Sequence, residues 1–316
     1  MRHPDLVEGV RQNARAYQSA YGGDGVPTML SPNELKMLSW LGENFDFGPD
    51  GFIADLGAFL GGSTRGFASG VASRPDRAAN AQRIHSYDMF KVPDDDYSRG
   101  MIGMERPLGS SVVDLYLRHI QGYEDVVCYH AGDVRDSPVP AKSLDIAFVD
   151  IAKSRGLNSF VIDQFFSRLE PGRSILIQQD HNDHSCPWIA VSTEYLRDCF
   201  EYLTDEGSSR IFLNTHQIQP NAAKEIEALS LDDQCDLLDA AVARSKHENS
   251  AYQVLVSKAW LINDKSGPED AVKFLSEIRS RQPWDGDFYA DLVATAINYV
   301  ADIGGMQVYL DRYFRG

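Results

Sequence analysis

The chain has 316 residues, of which 43% are hydrophobic and 24% charged, and its formal net charge is −16. This length and apolar content can bury a full hydrophobic core, as one large domain or as a domain with an appendage. The negative charge argues against nucleic acid or an anionic membrane as the substrate, because phosphate binding depends on clustered Lys and Arg. We therefore expect a small-molecule substrate, no nucleic acid and no membrane partner.

The sequence offers no targeting or redox signal. No apolar run approaches the roughly 18 residues that span a bilayer, and the segment from Met1 to Asp5 has no apolar signal core. These features predict a cytoplasmic protein. The four cysteines show no paired CxxC spacing, which favours free thiols over disulfides or a zinc site; they are Cys128, Cys186, Cys199 and Cys235.

Two helices are predicted before the first strand. The apolar pattern indicates a helix from Val7 to Tyr21, which the glycine-rich segment after it ends. A second helix starts at Ser31, where Ser31 can cap, Pro32 fits the first turn and Glu34 can close a capping box.

The segment Phe52–Leu56 is a short apolar run that suits a strand covered on both faces. Three glycines and two hydroxyl residues follow it: Gly57, Gly61, Gly62, Ser63 and Thr64. Glycines let the backbone turn sharply and approach a ligand without a Cβ in the way. Free N–H groups at the start of the next helix favour a carboxylate or a phosphate. The segment therefore predicts a cofactor pocket.

The spacing of this motif separates it from other nucleotide sites. A dinucleotide fingerprint needs G-x-G-x-x-G, and a P-loop needs Gly-Lys-Ser/Thr; neither is present. The order Asp55-x-Gly57-x-x-x-Gly61-Gly62-Ser63-Thr64 resembles motif I of the class I S-adenosylmethionine-dependent methyltransferases, nearest the catechol and macrocin O-methyltransferases. The alternative is an ordinary glycine turn between a strand and a helix of an α/β protein.

Later segments repeat a strand followed by a polar residue. The predicted strands are 83–87, 126–130, 144–149 and 174–178, and the polar residues after them are Asp88, Asp133, Asp150, Asp180 and His181. Open α/β sheets bind ligands at this carboxyl edge. With an edge hairpin from strands 199–204 and 210–214, the pattern predicts a Rossmann-like, doubly wound, mostly parallel seven-stranded sheet.

The resemblance implies roles for these residues. Asp88 would hold the ribose hydroxyls of S-adenosylmethionine, Asp133 would lie beside the adenine, and Asp55 would orient either the glycine turn or the methionyl amino group. The full set implied for the cofactor is Asp55, Gly57, Ala58, Phe59, Gly61, Ser63, Thr64, Asp88, Met89, Asp133 and Asp150. A loop before the second helix covers the cofactor in the family, which makes Thr28, Met29 and Leu30 candidates for a lid; a helix staple is the alternative for Met29.

The acceptor proton must leave during methyl transfer to a hydroxyl, with help from a metal or a base. The resembling branch holds Mg²⁺ with an Asp after strand four, which Asp150 matches, and with an acidic pair after strand five. Gln178 and Gln179 occupy the places of that pair, and a metal site would need Asp150, Asp180 and His181 instead. Divalent metal dependence is therefore open.

The other route is acid–base chemistry. His181 can act as the base, oriented by Asp150 or Asp180, and the two His and two Asp of segment 180–184 could also bind a transition metal. Trp188 and Tyr195 suit either an acceptor pocket or the core.

The apolar pattern of residues 217–316 predicts successive helices, at 221–246, 251–262, 268–281 and 288–303. We predict a helical cap at 1–50, a methyltransferase core at 51–216 and a C-terminal helical subdomain at 217–316. The subdomain would pack on the core or form a homodimer through aromatic residues, and a substrate lid is the alternative. The aromatic residues are Trp260, Phe274, Trp284, Phe288 and Tyr289.

The sequence thus predicts a methyltransferase that acts on a hydroxyl of a small molecule or a sugar-derived precursor. A catalytically degenerate protein of the same fold, serving binding or assembly, is the alternative. A nicotinamide-dependent oxidoreductase is a third hypothesis, which the glycine spacing disfavours.

Overall fold

The computed structural model describes residues 3–12, 17, 25–280 and 287–301. Its strands are β1 (Phe52–Leu56), β2 (Ile84–Asp88), β3 (Val127–Ala131), β4 (Leu144–Val149), β5 (Ile175–Gln178), β6 (Phe200–Glu206) and β7 (Ser209–Asn214). Its α-helices are α1 (His3–Arg11), α2 (Pro32–Asn44), α3 (Gly62–Ser73), α4 (Asp96–Ile102), α5 (Val113–His119), α6 (Arg155–Gln164), α7 (Pro187–Tyr195), α8 (Ala222–Glu227), α9 (Leu231–Arg244), α10 (Glu248–Ser266), α11 (Pro268–Arg279) and α12 (Asp287–Ala301).

The seven strands form one sheet in the order β3-β2-β1-β4-β5-β7-β6. β1 pairs in parallel with both β2 and β4, so the strand order reverses beside β1, and β6 and β7 form an antiparallel edge hairpin. Ligands of open α/β sheets bind at such a switch point. The predicted fold class is confirmed.

The central strands are apolar and buried because neighbours cover both faces, as the pattern of a parallel sheet requires. Asp145 in β4 is a buried exception. Its carboxylate accepts hydrogen bonds from Nε of Arg173 at 2.9 Å and from the N–H of Gly48 at 3.2 Å. A buried carboxylate needs such partners, so this pair serves the structure at the amino end of β4.

Helix boundaries follow local signals where those are strong. The predicted capping box is present: the N–H of Glu34 donates to Oγ of Ser31, and the N–H of Ser31 donates to Oε2 of Glu34. The first helix was predicted from Val7 to Tyr21, whereas α1 begins at His3 and ends at Arg11. Most of the residues between Gln12 and Gly25 lie outside the described ranges.

Two features of the helices differ from the prediction. Helices α4 and α5 lie between β2 and β3, in a segment for which the sequence analysis predicted no element. The helix expected over 221–246 is two helices, because Ser230 starts α9 with its own capping box to Asp233.

The chain divides into two compact units. The first comprises Met1–Ile151, Arg168–Ile177 and Ile211–Asn214, and the second comprises Ala152–Ser167, Gln178–Arg210 and Thr215–Gly316. The division into segments 1–50, 51–216 and 217–316 stays a prediction.

The second unit uses aromatic side chains in its own core. Trp260 is buried among residues of α10, α11 and α12, and Phe274 and Tyr289 pack against the same cluster. Phe288 is 49% exposed, and Trp284 lies outside the described residues. A homodimer through these helices stays a prediction, with fewer aromatic side chains left to form it. No helix in the described ranges has the length and apolar character needed to cross a membrane.

Helices α2 and α3 of the first unit approach each other closely at glycines. A Cβ at Gly70 would overlap the carbonyl oxygen of Ser39 and lie 2.7 Å from the backbone nitrogen of Glu43. The hydroxyls of Ser39 and Ser69 lie 2.9 Å apart in the same interface. The backbone contact therefore depends on the absence of a side chain at Gly70.

Gly70→Ala should lower the free energy of unfolding by at least about 2 kcal/mol, because the helices must separate to admit the methyl group. Gly100→Ala is the matched control: no atom lies within 4 Å of a Cβ there, and helix propensity predicts a gain of up to about 1 kcal/mol. Urea denaturation of both variants measures the two effects. Equal stability of Gly70→Ala and the wild type would show that the helices do not pack as described.

Candidate functional site

The turn after β1 needs glycine for two reasons. Gly57 and Gly61 have φ values of +100° and +94°, in the left-handed region that disfavours other residues. A Cβ at Gly57 would also lie 2.6 Å from the carbonyl oxygen of Asp150. Phe59 adopts φ of +45° between them, a conformation that costs energy in a residue with a side chain. The sequence thus builds a tight, strained turn at the carboxyl ends of β1 and β4.

Helix α3 begins at this turn with unsatisfied donors. Its N-cap is Gly61, which has no side chain to cap the helix. Within the part of the chain that the structure describes, the N–H groups of Gly62, Ser63 and Thr64 have no hydrogen-bond acceptor. Together with the positive end of the helix dipole, these groups can bind an anion.

The buried carboxylate of Asp55 holds the turn against the sheet. It accepts hydrogen bonds from Oγ of Ser63 at 2.8 Å, from Oγ1 of Thr64, and from Oγ of Ser86 at 3.3 Å. Burial raises the pKa of Asp55 to about 6, although the three hydroxyls act in the opposite direction. Of the two roles implied for Asp55, this arrangement favours orienting the glycine turn. The hydroxyls of Ser63 and Thr64 are committed to Asp55, so their N–H groups remain for a ligand.

Asp88 at the end of β2 is fixed to the same turn. Its Oδ2 accepts from the N–H of Phe59 at 2.9 Å, and its Oδ1 accepts from the N–H of Phe90 at 2.6 Å. Burial raises the pKa of this half-buried carboxyl, with the two N–H groups opposing the effect. A carboxylate has about four acceptor positions, so Asp88 retains capacity for a vicinal diol.

A cleft opens in front of the turn. Its lining residues are Thr28, Met29, Leu30, Gly57, Ala58, Phe59, Gly62, Ser63 and Asp150. The three candidates for a lid are thus among them, and a Cβ at Gly62 would lie 2.6 Å from Oγ1 of Thr28. Met29 is 54% exposed, which is unlike the packed side chain of a helix staple.

Two other residues implied for the cofactor are placed differently. The carboxylate of Asp133 accepts from the backbone and the guanidinium of Arg135, with Nη2 to Oδ2 at 2.6 Å. This pairing lowers the pKa of Asp133 and competes with a contact to the adenine amine. Met89 is largely exposed on the surface. Neither side chain is among those lining the cleft.

His181 lies in the second unit with the surroundings of a core residue. It is 2% exposed, its Nε2 lies 2.8 Å from Oγ1 of Thr193, and its Nδ1 lies 3.2 Å from Oδ1 of Asn182. Burial lowers the pKa of His181 to about 3, which keeps the ring neutral. A base must reach the proton that it removes, so this geometry gives no support to His181 as the base.

The residues after β5 do not fit a hard divalent cation. Gln179 accepts a hydrogen bond from Ser209, and the carboxylate of Asp180 forms an ion pair with Lys153. Mg²⁺ prefers carboxylates that no ammonium group neutralises. Asp150, the remaining predicted ligand, is a single carboxylate, and Mg²⁺ usually needs more than one such ligand or a substrate phosphate.

Gln178 departs from the family pattern, and the sequence predicts no role for its side chain. Its side chain is 1% exposed, and neither its amide oxygen nor its amide nitrogen has a hydrogen-bond partner among the described residues. Buried amides are rarely left unsatisfied, because each lost bond costs roughly 1–3 kcal/mol. A buried amide without partners at the carboxyl end of a strand is a candidate for a ligand contact.

The aromatic residues after this segment serve the second unit. Trp188 is buried, donates from Nε1 to the carbonyl of Ala152 at 2.6 Å, and borders a small cavity with Arg155 and Asn158. Tyr195 donates to Glu225 at 2.9 Å on the surface. Trp188 is therefore both a core residue and part of a cavity wall, and Tyr195 is neither.

Comparison with known proteins gives little. No family model matches the chain, and no curated protein matches it. Among solved structures, the chain is similar to an O-methyltransferase from Bacillus cereus crystallised in complex with SAH, at 15% sequence identity. The match covers 66% of this chain and 91% of that chain with a TM-score of 0.35.

The buried Asp55 predicts a pH dependence. Folding raises the pKa of Asp55 from 3.8 to about 6. As the pH falls, the native state therefore binds a proton before the unfolded state does, and the free energy of unfolding increases through this range. Relative to that of Asp55→Asn, the free energy of unfolding of the wild type should increase by up to about 3 kcal/mol as the pH is lowered from about 7 to about 4. Urea denaturation of both proteins at both pH values gives this difference. A difference that does not change with pH would contradict the buried, proton-binding carboxyl.

Proposed function

We propose that the cleft binds S-adenosylmethionine and that the protein is a methyltransferase acting on a hydroxyl of a small molecule. One observation carries the proposal: the N–H of Phe59 fixes the carboxylate of Asp88 to the same turn that leaves the N–H groups of Gly62 and Ser63 without acceptors. Acceptors for a diol, on Asp88, are therefore bound to the turn that carries donors for a carboxylate, at the switch point of the sheet.

The cleft and the carboxylate of Asp88 beside it each have a role in this proposal. The N–H groups of Gly62 and Ser63 bind the carboxylate of the amino-acid portion, and Asp88 accepts hydrogen bonds from the ribose hydroxyls. The segment Thr28–Leu30 lies over the helix start and excludes water. When bound, the sulfonium supplies an activated methyl group. The contribution of the chain is then to hold cofactor and acceptor in line, which accounts for much of the rate of such a displacement.

Isothermal titration of the full chain with S-adenosylhomocysteine tests the cofactor site. Asp88→Asn should weaken binding by about 10- to 100-fold, because an amide cannot accept two hydrogen bonds from a diol as a carboxylate does. Asp136→Asn, an exposed carboxylate near the end of β3, is the control and should bind as the wild type does. Asp133→Asn in the same series decides whether that residue contacts the adenine. Absence of binding by the wild type at micromolar concentrations would refute the proposed function.

The side chains at and after the end of β5 also predict how cofactor binding and turnover respond to a chelator. Excess EDTA should leave cofactor affinity and methyl transfer unchanged, because Gln178, Gln179 and the paired Asp180 are poor ligands for Mg²⁺. Titration and a turnover assay, each with and without EDTA, measure the two effects. Loss of turnover in EDTA that Mg²⁺ restores would show that a metal site forms after all.

A protein that binds the cofactor without catalysis is the second candidate. The burial of His181 and the amides at the end of β5 favour it, because no side chain described there is placed as a base. Mass spectrometry of S-adenosylhomocysteine formed in a metabolite extract distinguishes the two. Tight cofactor binding with no product in any extract would support the binding protein over the enzyme.

A further inference from the structure

The edge of the sheet carries a second cluster of reactive side chains. Strands β2 and β3 pair in parallel, with His85 beside Cys128 and Tyr87 beside His130. Alternate residues of a strand face the same side of a sheet, so His85, Cys128 and His130 share one face. Ser86 faces the other side, where it reaches Asp55. The cluster is thus separate from the cleft and independent of the proposed function.

Its geometry suits a single ion. The nearest ligand atoms of His85, Cys128 and His130 all lie within 4.8 Å of one another. Nδ1 of His85 lies 3.0 Å from Nε2 of His130, and the two rings are 11° from parallel. Two nitrogens bound to one tetrahedral zinc lie about 3.3 Å apart, so the rings need to separate by only a few tenths of an ångström.

Aromatic neighbours hold the two imidazoles in place. Tyr87 stacks on His130 with ring centroids 4.4 Å apart, and Phe52 meets the ring of His85 edge-on at 5.4 Å. Rigid supports of this kind keep ligands close to the geometry of the bound state. Because all three members are only half-buried, an ion and a water molecule can reach them from solvent.

The charge state of the cluster also fits. Burial lowers the pKa of both histidines, that of His85 to about 4, so both rings are neutral near pH 7 and offer lone pairs. Burial raises the pKa of the Cys128 thiol, so the thiol keeps its proton until a metal displaces it. The positive charge of Lys142 also lowers the pKa of His85 and opposes a cation there.

We propose that His85, Cys128 and His130 form a binding site for a zinc ion, with water at the fourth position. Two imidazole nitrogens and one thiolate are ligands that Zn²⁺ prefers over Mg²⁺ or Ca²⁺. On binding, Cys128 releases its proton to solvent, and the histidine that donates in the His85–His130 hydrogen bond moves its proton to its other ring nitrogen. Free thiols were predicted because the cysteines show no paired CxxC spacing; Cys128 and His130 lie 43 and 45 residues after His85 and follow no zinc motif.

Titration of the metal-free full chain with Co²⁺, a spectroscopic substitute for zinc, tests the proposal. The wild type should show saturable d–d bands and a thiolate-to-cobalt charge-transfer band, and one equivalent of Zn²⁺ should remove both. Cys128→Ser should lose the charge-transfer band and bind at least about 100-fold more weakly, since even changes outside the first coordination shell cost roughly 10- to 100-fold. Cys199→Ser, which removes a half-buried thiol of the second unit, is the matched control and should behave as the wild type does.

A measurement on the wild type covers the case in which a variant fails to fold. Zn²⁺ should slow alkylation of Cys128 by iodoacetamide by about tenfold or more while leaving Cys199 unaffected, as peptide mass spectrometry can show. Equal alkylation of Cys128 with and without Zn²⁺, or an unchanged charge-transfer band in Cys128→Ser, would overturn the proposal. Binding of S-adenosylhomocysteine, measured on the same samples, reports separately on the cleft.

Discussion

A single buried carboxylate organises the carboxyl edge of this sheet. Asp55 lies in β1, an interior strand, where burial of a charge is costly, and three hydroxyls from α3 and β2 offset only part of that cost. The result is a glycine turn fastened between β1, β2 and the first turn of α3. Strain at Phe59 and free N–H groups at Gly62 and Ser63 persist because this network fixes the turn. Such local costs are typical of sites that bind ligands.

Much of the fold was predictable because local patterns determine it. β1 and β4 have the predicted bounds, and the other strands differ by only one or two residues at one or both ends, since buried apolar runs and the polar residues after them mark strand ends clearly. The capping box at Ser31 and Glu34 was predicted from sequence for the same reason. The split at Ser230 has an equally local signal, a Ser followed three residues later by Asp, which the apolar pattern around it obscured.

The site was less predictable, because its chemistry depends on side-chain partners that sequence does not specify. Asp133 matches a family position, yet a residue two places along the chain takes its carboxylate. His181 looks like a base in sequence, yet Thr193 and burial make it a core residue. The zinc ligands come together only through the register of β2 with β3, which no local pattern reveals.

The most direct test of the cofactor site is a crystal structure of the full chain soaked with S-adenosylhomocysteine. The account predicts that the product carboxylate accepts hydrogen bonds from the N–H groups of Gly62 and Ser63, and that both ribose hydroxyls donate to Asp88. Density for the product at another surface, or a ribose that does not contact Asp88 while the turn keeps its geometry, would contradict the account.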